Sequence, residues 1–332
     1  MNWFETLTGF REESAEQVRA NIYLTGNKLC SQYNGTEYTC GKLEIPTLSE
    51  LRIRVDISTF NAKIRATERI GNIMHIHKEP DNAHATFQVA SQFNLLEMVS
   101  PNVSPEKGVS IYENDHTQGP TCAIACGAGT IYRNYFVPLN GQIGQNASNQ
   151  IDCLSEIAKY FNNDVLQLWN MTNGYVLVNN AQSMQIINST ISQLTPADYH
   201  ELKGLLRVGV QWNTEVTASP EKHLVTQVYC SALPVAYSNL APELWQPFAQ
   251  LILDATYEAT FLVAVQNALQ NGNFTLFLTL VGGGVFGNRK TWIAAAIKKN
   301  MQKFARVPLQ VRLVSYGQSN PEIQNLLASF KN

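Results

Sequence analysis

The chain has 332 residues, 45% hydrophobic and only 15% charged, with a formal net charge of −2. That balance excludes a disordered chain, supplies ample material for a large core, and argues against a general nucleic-acid binder, which would carry a basic excess. No basic segment leading into an apolar stretch opens the sequence and no 18 apolar residues run uninterrupted, so the expectation is a soluble, cytoplasmic monomer without a membrane partner.

Residues 1–70 read as an irregular front section, with a polar helix over Glu12–Leu24 and turns from Asn34 to Tyr38. "PTLSELRIRV" starts a second helix near Thr47, where Thr or Ser stands ahead of Glu50 in capping-box spacing. From residue 72 the texture changes. "NIMHIH" and "TFQVAS" read as short strands, and "GPTCAIACGAGTIYRNYF" as a small-residue helix that packs closely against a neighbour. A helix at Ile151–Phe161, a strand at 175–180, helical stretches over Ala181–Leu202 and a strand "LLRVGVQW" follow. The tail alternates: strand "VTQVYCSA", helix Pro242–Leu269, strand "FTLFLTL", helix Thr291–Phe304, strand "LQVRLVSY", helix Pro321–Phe330. Such alternation predicts an α/β fold with a mainly parallel sheet covered by helices on both faces, and a ligand outside the carboxyl ends of its strands.

Six cysteines, Cys30, Cys40, Cys122, Cys126, Cys153 and Cys230, lack C-x-x-C spacing and read as free thiols. Cys122 and Cys126 share a helix face at i, i+4, but among Ala and Gly they fit small core residues better than metal ligands. His75 and His77 fall on one strand face without a third ligand. Serine catalysis lacks a G-x-S-x-G elbow.

Two stretches carry chemistry. In "FLTLVGGGVFGNRKTWIAAAIKKN" (277–300) a strand runs through Gly282, Gly283, Gly284, Val285, Phe286, Gly287 and Asn288 into a basic helix. It is neither G-x-G-x-x-G nor a P-loop, so it is an anion cradle of another kind or a tight turn that binds nothing. In "YENDHTQGP" (112–120), Glu113, Asp115, His116 and Gln118 precede Gly119 and a helix. A carboxylate there is held charged by the helix end, as a base or hydroxyl acceptor, or it is an ordinary acidic cap. Glu258, in "YEATF" of an apolar helix, either pairs with a core partner or points into a site.

Together these pieces resemble a macrodomain, the ADP-ribose-binding α/β/α fold. "FQVASQFNLLEM", with Asn94, looks like the family's early strand, "YENDHTQGPTCAIACGAG" like its first loop and helix, and "GGGVFGN" like its diphosphate loop. The order of the pieces is the family's order, although the first loop lacks the usual Gly-Gly-Gly-Val. The texture is similar to macrodomain-type ADP-ribosyl hydrolases, a group with a Legionella effector that removes ADP-ribose from ubiquitin arginine, and more broadly to poly(ADP-ribose) glycohydrolase.

The resemblance implies a macrodomain-like α/β/α sandwich over residues 71–332, with 1–70 as an N-terminal extension packed on it. It implies backbone N–H groups from Gly283 to Gly287 on the diphosphate, the helix from Thr291 behind them, Phe286 over the ribose and Tyr316 at the adenine side. Asn94 and Gln118 would hold ribose hydroxyls, and Gly282, Gly119, Val285 and Asn288 would complete the ligand's surroundings. Asp115 is the first choice for catalysis, Glu113 the second and Glu258 a third, with Glu215 at an acidic mouth for a guanidinium leaving group. No cofactor or metal is implied. The partners are ADP-ribose and an ADP-ribosylated protein, ubiquitin among the candidates, met in a host cytosol if the chain is a translocated effector. A binding module without turnover and an ADP-ribose 1″-phosphate phosphatase share the same cradle.

Overall fold

The structure is a computed structural model and describes residues 1–331. Its centre is a seven-stranded sheet, ordered Lys42–Glu44, Gly209–Glu215, Leu224–Cys230, Thr86–Ala90, Thr275–Leu278, Gln310–Ser315, Arg65–Ile70. Strand 209–215 is antiparallel to both its neighbours, while the strands from 224–230 across to 65–70 pair in parallel. The α/β class and the mixed, mainly parallel sheet expected from the sequence are therefore present.

Alternation along the strands builds two helical layers. Thr226 Oγ1 donates to Asn267 and Gln88 Nε2 to Thr260, both on helix Pro242–Asn271. On the opposite face Phe87 stacks on His77, and Gln227 Nε2 donates to the Cys122 carbonyl of helix Gln118–Ala125. Helix 242–271 is long and apolar enough to cross a membrane, but it is apolar because neighbouring helices and the sheet bury nearly all of it.

Several expected elements change. "NIMHIH" is a helix, Ile73–Lys78, because the Asn72 side chain caps it at Met74 N–H and Ile73, Ile76 and His77 form one buried face. His75 is consequently exposed and His77 buried, so they form no pair. The helix expected over Glu12–Leu24 is confined to Ala15–Asn21, and Ile22–Thr25 begins a small three-stranded antiparallel sheet. Thr47 and Glu50 form the expected capping box. The small-residue helix breaks at Cys126 into 118–125 and Gly127–Tyr135, so Cys122 and Cys126 do not continue along one regular helix. Strand Tyr175–Val178 lies in a separate hairpin with Trp169–Thr172. Both edges of the central sheet, 42–44 and 65–70, come from the front section, so a division at residue 70 runs through the sheet itself.

Candidate functional site

Strands 86–90 and 275–278 are neighbours only at Thr86–Leu276 and Phe87–Phe277 and then separate. The open ladder positions are filled by side chains. Gln118 Nε2 donates to the Gln88 carbonyl (2.8 Å), its Oε1 accepts the Ala90 N–H (2.9 Å), and Gln88 Oε1 accepts the Thr279 N–H (3.2 Å). Amides here replace backbone pairing and hold a split at the carboxyl ends of parallel strands, where α/β sheets bind ligands.

A cleft of about 280 Å³ occupies that split. Its floor is Ala90–Gln92 and Thr279–Val281; one side is formed by Asp115 and 117–120, the other by Gly282, Gly284, Val285 and Phe286. Tyr175, Tyr237 and Phe286 cluster along one wall, with ring centroids 5.2–5.8 Å apart. Its lining includes the carboxyl groups of Glu97 and Asp115 and no Lys or Arg.

The glycine-rich loop closes on itself through some of its amides and leaves others open. Gly283 N–H donates to Leu280, Gly287 N–H to Gly284, and Asn288 N–H to Gly282. Among the described residues, the N–H groups of Gly282, Gly284, Val285 and Phe286 donate to no protein acceptor. These four residues are also the loop's cleft lining, so the available donors differ from the expected run Gly283–Gly287 because two of those amides close the turn. Asn288 is a buried staple whose Nδ2 donates to the Leu233 carbonyl at 2.8 Å, and not a cleft residue. Gly282 has φ +76° and a Cβ there would meet Ala232 at 2.5 Å, so both backbone and space demand glycine. Tyr257 fastens the loop's entry, donating to the Thr279 carbonyl (2.7 Å) and accepting the Val281 N–H (3.0 Å).

Glu97 was not singled out in the sequence. It is 2% exposed, lines the cleft, and neither carboxyl oxygen has a hydrogen-bond partner among the described residues. Burial pushes its pKa up to about 8; Arg133 and Tyr112 pull it down and the Asp115 charge raises it. Arg133 is itself fully buried, donating to the Leu95 carbonyl (3.1 Å) and lying 3.5 Å from the Tyr229 ring centroid. The signal for Glu97 was an acid inside the apolar run "FNLLEMV", the same signal that drew attention to Glu258.

Other expected site residues lie elsewhere. Asp115 is in the cleft, its Oδ1 accepting the Thr117 N–H at 2.9 Å, whereas Glu113 is exposed and outside the lining. Glu258 is held by Arg52 (2.7 Å), Lys203 (2.9 Å) and Lys303 (2.6 Å), and these cations keep its carboxyl far below the usual range despite burial. Its helix turns it away from the cleft, so the core-partner alternative holds. Asn94 is fully buried, donating to Gln150 at 2.8 Å and accepting the Leu96 N–H at 3.1 Å. Tyr316 is exposed beyond the last strand, outside the cleft lining. Glu215 ends the antiparallel strand 209–215 opposite Leu224, at the amino end of the parallel strands and so at the other end of the sheet from the cleft, and accepts the Thr39 N–H at 2.9 Å. The amide of Gln118 is committed to the strand. Among the described residues no three His, Cys, Asp or Glu side chains converge as a metal site.

No protein-family model matches the chain, and no curated protein matches its sequence. Among solved structures it is similar to poly(ADP-ribose) glycohydrolase from Deinococcus radiodurans in complex with ADP-ribose, with 10% identity over 87% of this chain and 92% of that one and a TM-score of 0.45. It is also similar to poly(ADP-ribose) glycohydrolase from Thermomonospora curvata bound to the inhibitor ADP-HPD, with 11% identity over 95% and 94% of the two chains and a TM-score of 0.46.

Proposed function

We propose that this protein is a hydrolase that binds ADP-ribose in the cleft and removes it from a cationic side chain, arginine first among them. The observation that carries the reading is Glu97, a buried carboxyl without a protein partner at one end of a cleft whose other side offers four open backbone amides. The diphosphate would lie on the amides of Gly282, Gly284, Val285 and Phe286, with helix Lys290–Lys303 beginning just beyond the loop. The aromatic wall suits a base or ribose face. The distal ribose would then reach Glu97 and Asp115.

The division of labour follows from their surroundings. A carboxyl with its pKa near 8 still carries its proton at neutral pH and can give it up, while Asp115, at the cleft's partly exposed side, can accept one. The C1″–N bond breaks with its electron pair passing to the guanidino nitrogen, which takes the proton of Glu97. Water bonds through oxygen to C1″ and its released proton goes to Asp115, which returns it through solvent to Glu97. A lining that holds the Asp115 carboxylate and no Lys or Arg favours a guanidinium over an anionic aglycone. The sequence resemblance makes ADP-ribosylated ubiquitin the first protein substrate to try.

The test is incubation with arginine-, serine- and glutamate-linked ADP-ribosyl substrates, reading free ADP-ribose. Fastest release from the arginine linkage is expected. Preference for the glutamate linkage would overturn the aglycone assignment. Binding of ADP-ribose without release from any linkage would make the chain a binding module, and phosphate release from ADP-ribose 1″-phosphate would make it a phosphatase.

A further inference from the structure

Glu12 lies in the front section, outside the cleft lining, yet its carboxylate is fully engaged by a segment that leads there. Oε1 accepts the Val109 N–H at 3.0 Å and the Tyr135 hydroxyl at 2.7 Å; Oε2 accepts the Ser110 N–H at 2.7 Å. The approach is close: Gly108 has φ +87°, and a Cβ there would stand 2.4 Å from Oε2. Trp3 adds a bond from Nε1 to the Val109 carbonyl at 3.3 Å.

What Glu12 holds is the start of the 3₁₀ turn Ser110–Asn114. The middle of that turn is Tyr112, fully buried, whose hydroxyl accepts the backbone N–H of Glu97 at 3.0 Å. Its end is Asp115, whose N–H closes on the Tyr112 carbonyl at 3.1 Å. One charge therefore fixes a turn that touches the backbone of one cleft carboxyl and carries the other. Hydrogen bonds to a charged acceptor are stronger than neutral ones, and catalysis is sensitive to displacements of about 1 Å.

We propose that Glu12 is a positioning residue through which the N-terminal section sets the geometry of both Glu97 and Asp115. The proposal rests on the hydrolase reading of the cleft. If Glu12 only fastened the front section to the core, its loss would lower stability and leave the folded molecules' chemistry unchanged.

The experiment compares the full chain with Glu12→Gln, which keeps the shape but sets an amide N–H₂ against one of three donors, and with Tyr135→Phe, which removes a single donor and leaves the turn's sequence intact. Three quantities are read on folded protein: kcat on the arginine-linked substrate, ADP-ribose Kd by calorimetry, and the titration of the Glu97 carboxyl by carbon NMR. In Glu12→Gln, kcat should fall about 10- to 100-fold. Kd should stay within about threefold, because the glycine loop is untouched. Glu97 should titrate lower than in the wild type as its pocket loosens, with Arg133, Tyr112, Asp115, Tyr229 and Cys122, the other charged or titratable groups around it, retained. Tyr135→Phe should show the same changes in smaller degree. Unchanged kcat and unchanged Glu97 titration in both variants would overturn the proposal. A wild-type protein that releases no ADP-ribose would instead overturn the hydrolase reading, and the Glu97 titration would still decide whether Glu12 positions it.

Discussion

Glu97 and Glu258 are equally hidden, each 2% exposed, and both interrupt apolar sequence. Glu258 meets Arg52, Lys203 and Lys303 within 2.9 Å, and its carboxyl stays charged; it ties helix Leu48–Arg54 and helix Pro196–Gly204 to the long central helix and helix 290–303. Glu97 has Arg133 nearby but no hydrogen-bonded cation, faces open space, and has its pKa pushed to about 8 by burial. Burial alone distinguishes nothing. What decides between a structural and a chemical carboxyl is whether the protein supplies its partner or leaves that place to a ligand.

The sharpest way to break the comparison is to neutralise each residue. Glu97→Gln should lower turnover of an arginine-linked substrate by roughly 10²- to 10⁴-fold, the range for a positioned proton donor, while ADP-ribose binding changes little. Glu258→Gln should do the reverse, costing about 3–5 kcal/mol of stability because it leaves the buried Lys203 and the partly buried Arg52 without their counter-charge, with turnover per folded molecule unchanged. Denaturant unfolding together with single-turnover kinetics separates the two outcomes. A stable Glu258→Gln that is inactive would put the chemistry at the ion cluster instead.

A second pair sharpens it within one loop. Asp115→Asn should lower kcat by roughly 10²-fold, whereas Glu113→Gln, exposed and outside the cleft, should match the wild type. The two glutamates should also give stability opposite pH dependences. Glu97's folded pKa is raised, so its contribution is fully present below the unfolded value near 4.5, declines by about 1.4 kcal/mol per pH unit as pH rises, and is gone above about 8. Glu97→Gln should remove that decline. Glu258's folded pKa is depressed, so its contribution is present above the ordinary carboxyl pKa and lost as pH falls below it. The smallest expected change in fold is Gly284→Val: a Cβ there meets nothing within 4 Å, so stability should hold while ADP-ribose affinity drops as the side chain enters the cleft.

The alternating tail was legible because strands 224–230 and 275–278 are largely apolar runs buried on both faces, strand 310–315 alternates buried with half-exposed residues, and the helices between them are long. The sheet's edges were not. Lys42–Glu44 and Arg65–Ile70 carry charges and half-exposed side chains, so no apolar run marks them. Gly282–Phe286 and Asp115 could be found because chain order keeps each beside a helix start. Tyr175 and Tyr237 could not, since tertiary packing alone brings them to Phe286. Glu97 and Glu258 present the same local signal, and only the three cations gathered from distant segments tell them apart.

The most direct measurement is the pH dependence of kcat/KM for release of ADP-ribose from an arginine-linked substrate. The expected result is a limb that falls above about pH 8 as Glu97 loses its proton in the free enzyme, and that disappears with the activity in Glu97→Gln. Release that is flat through that range and equally fast in Glu97→Gln would contradict Glu97 as the proton donor, and no release by the wild type at any pH would contradict hydrolysis in this cleft.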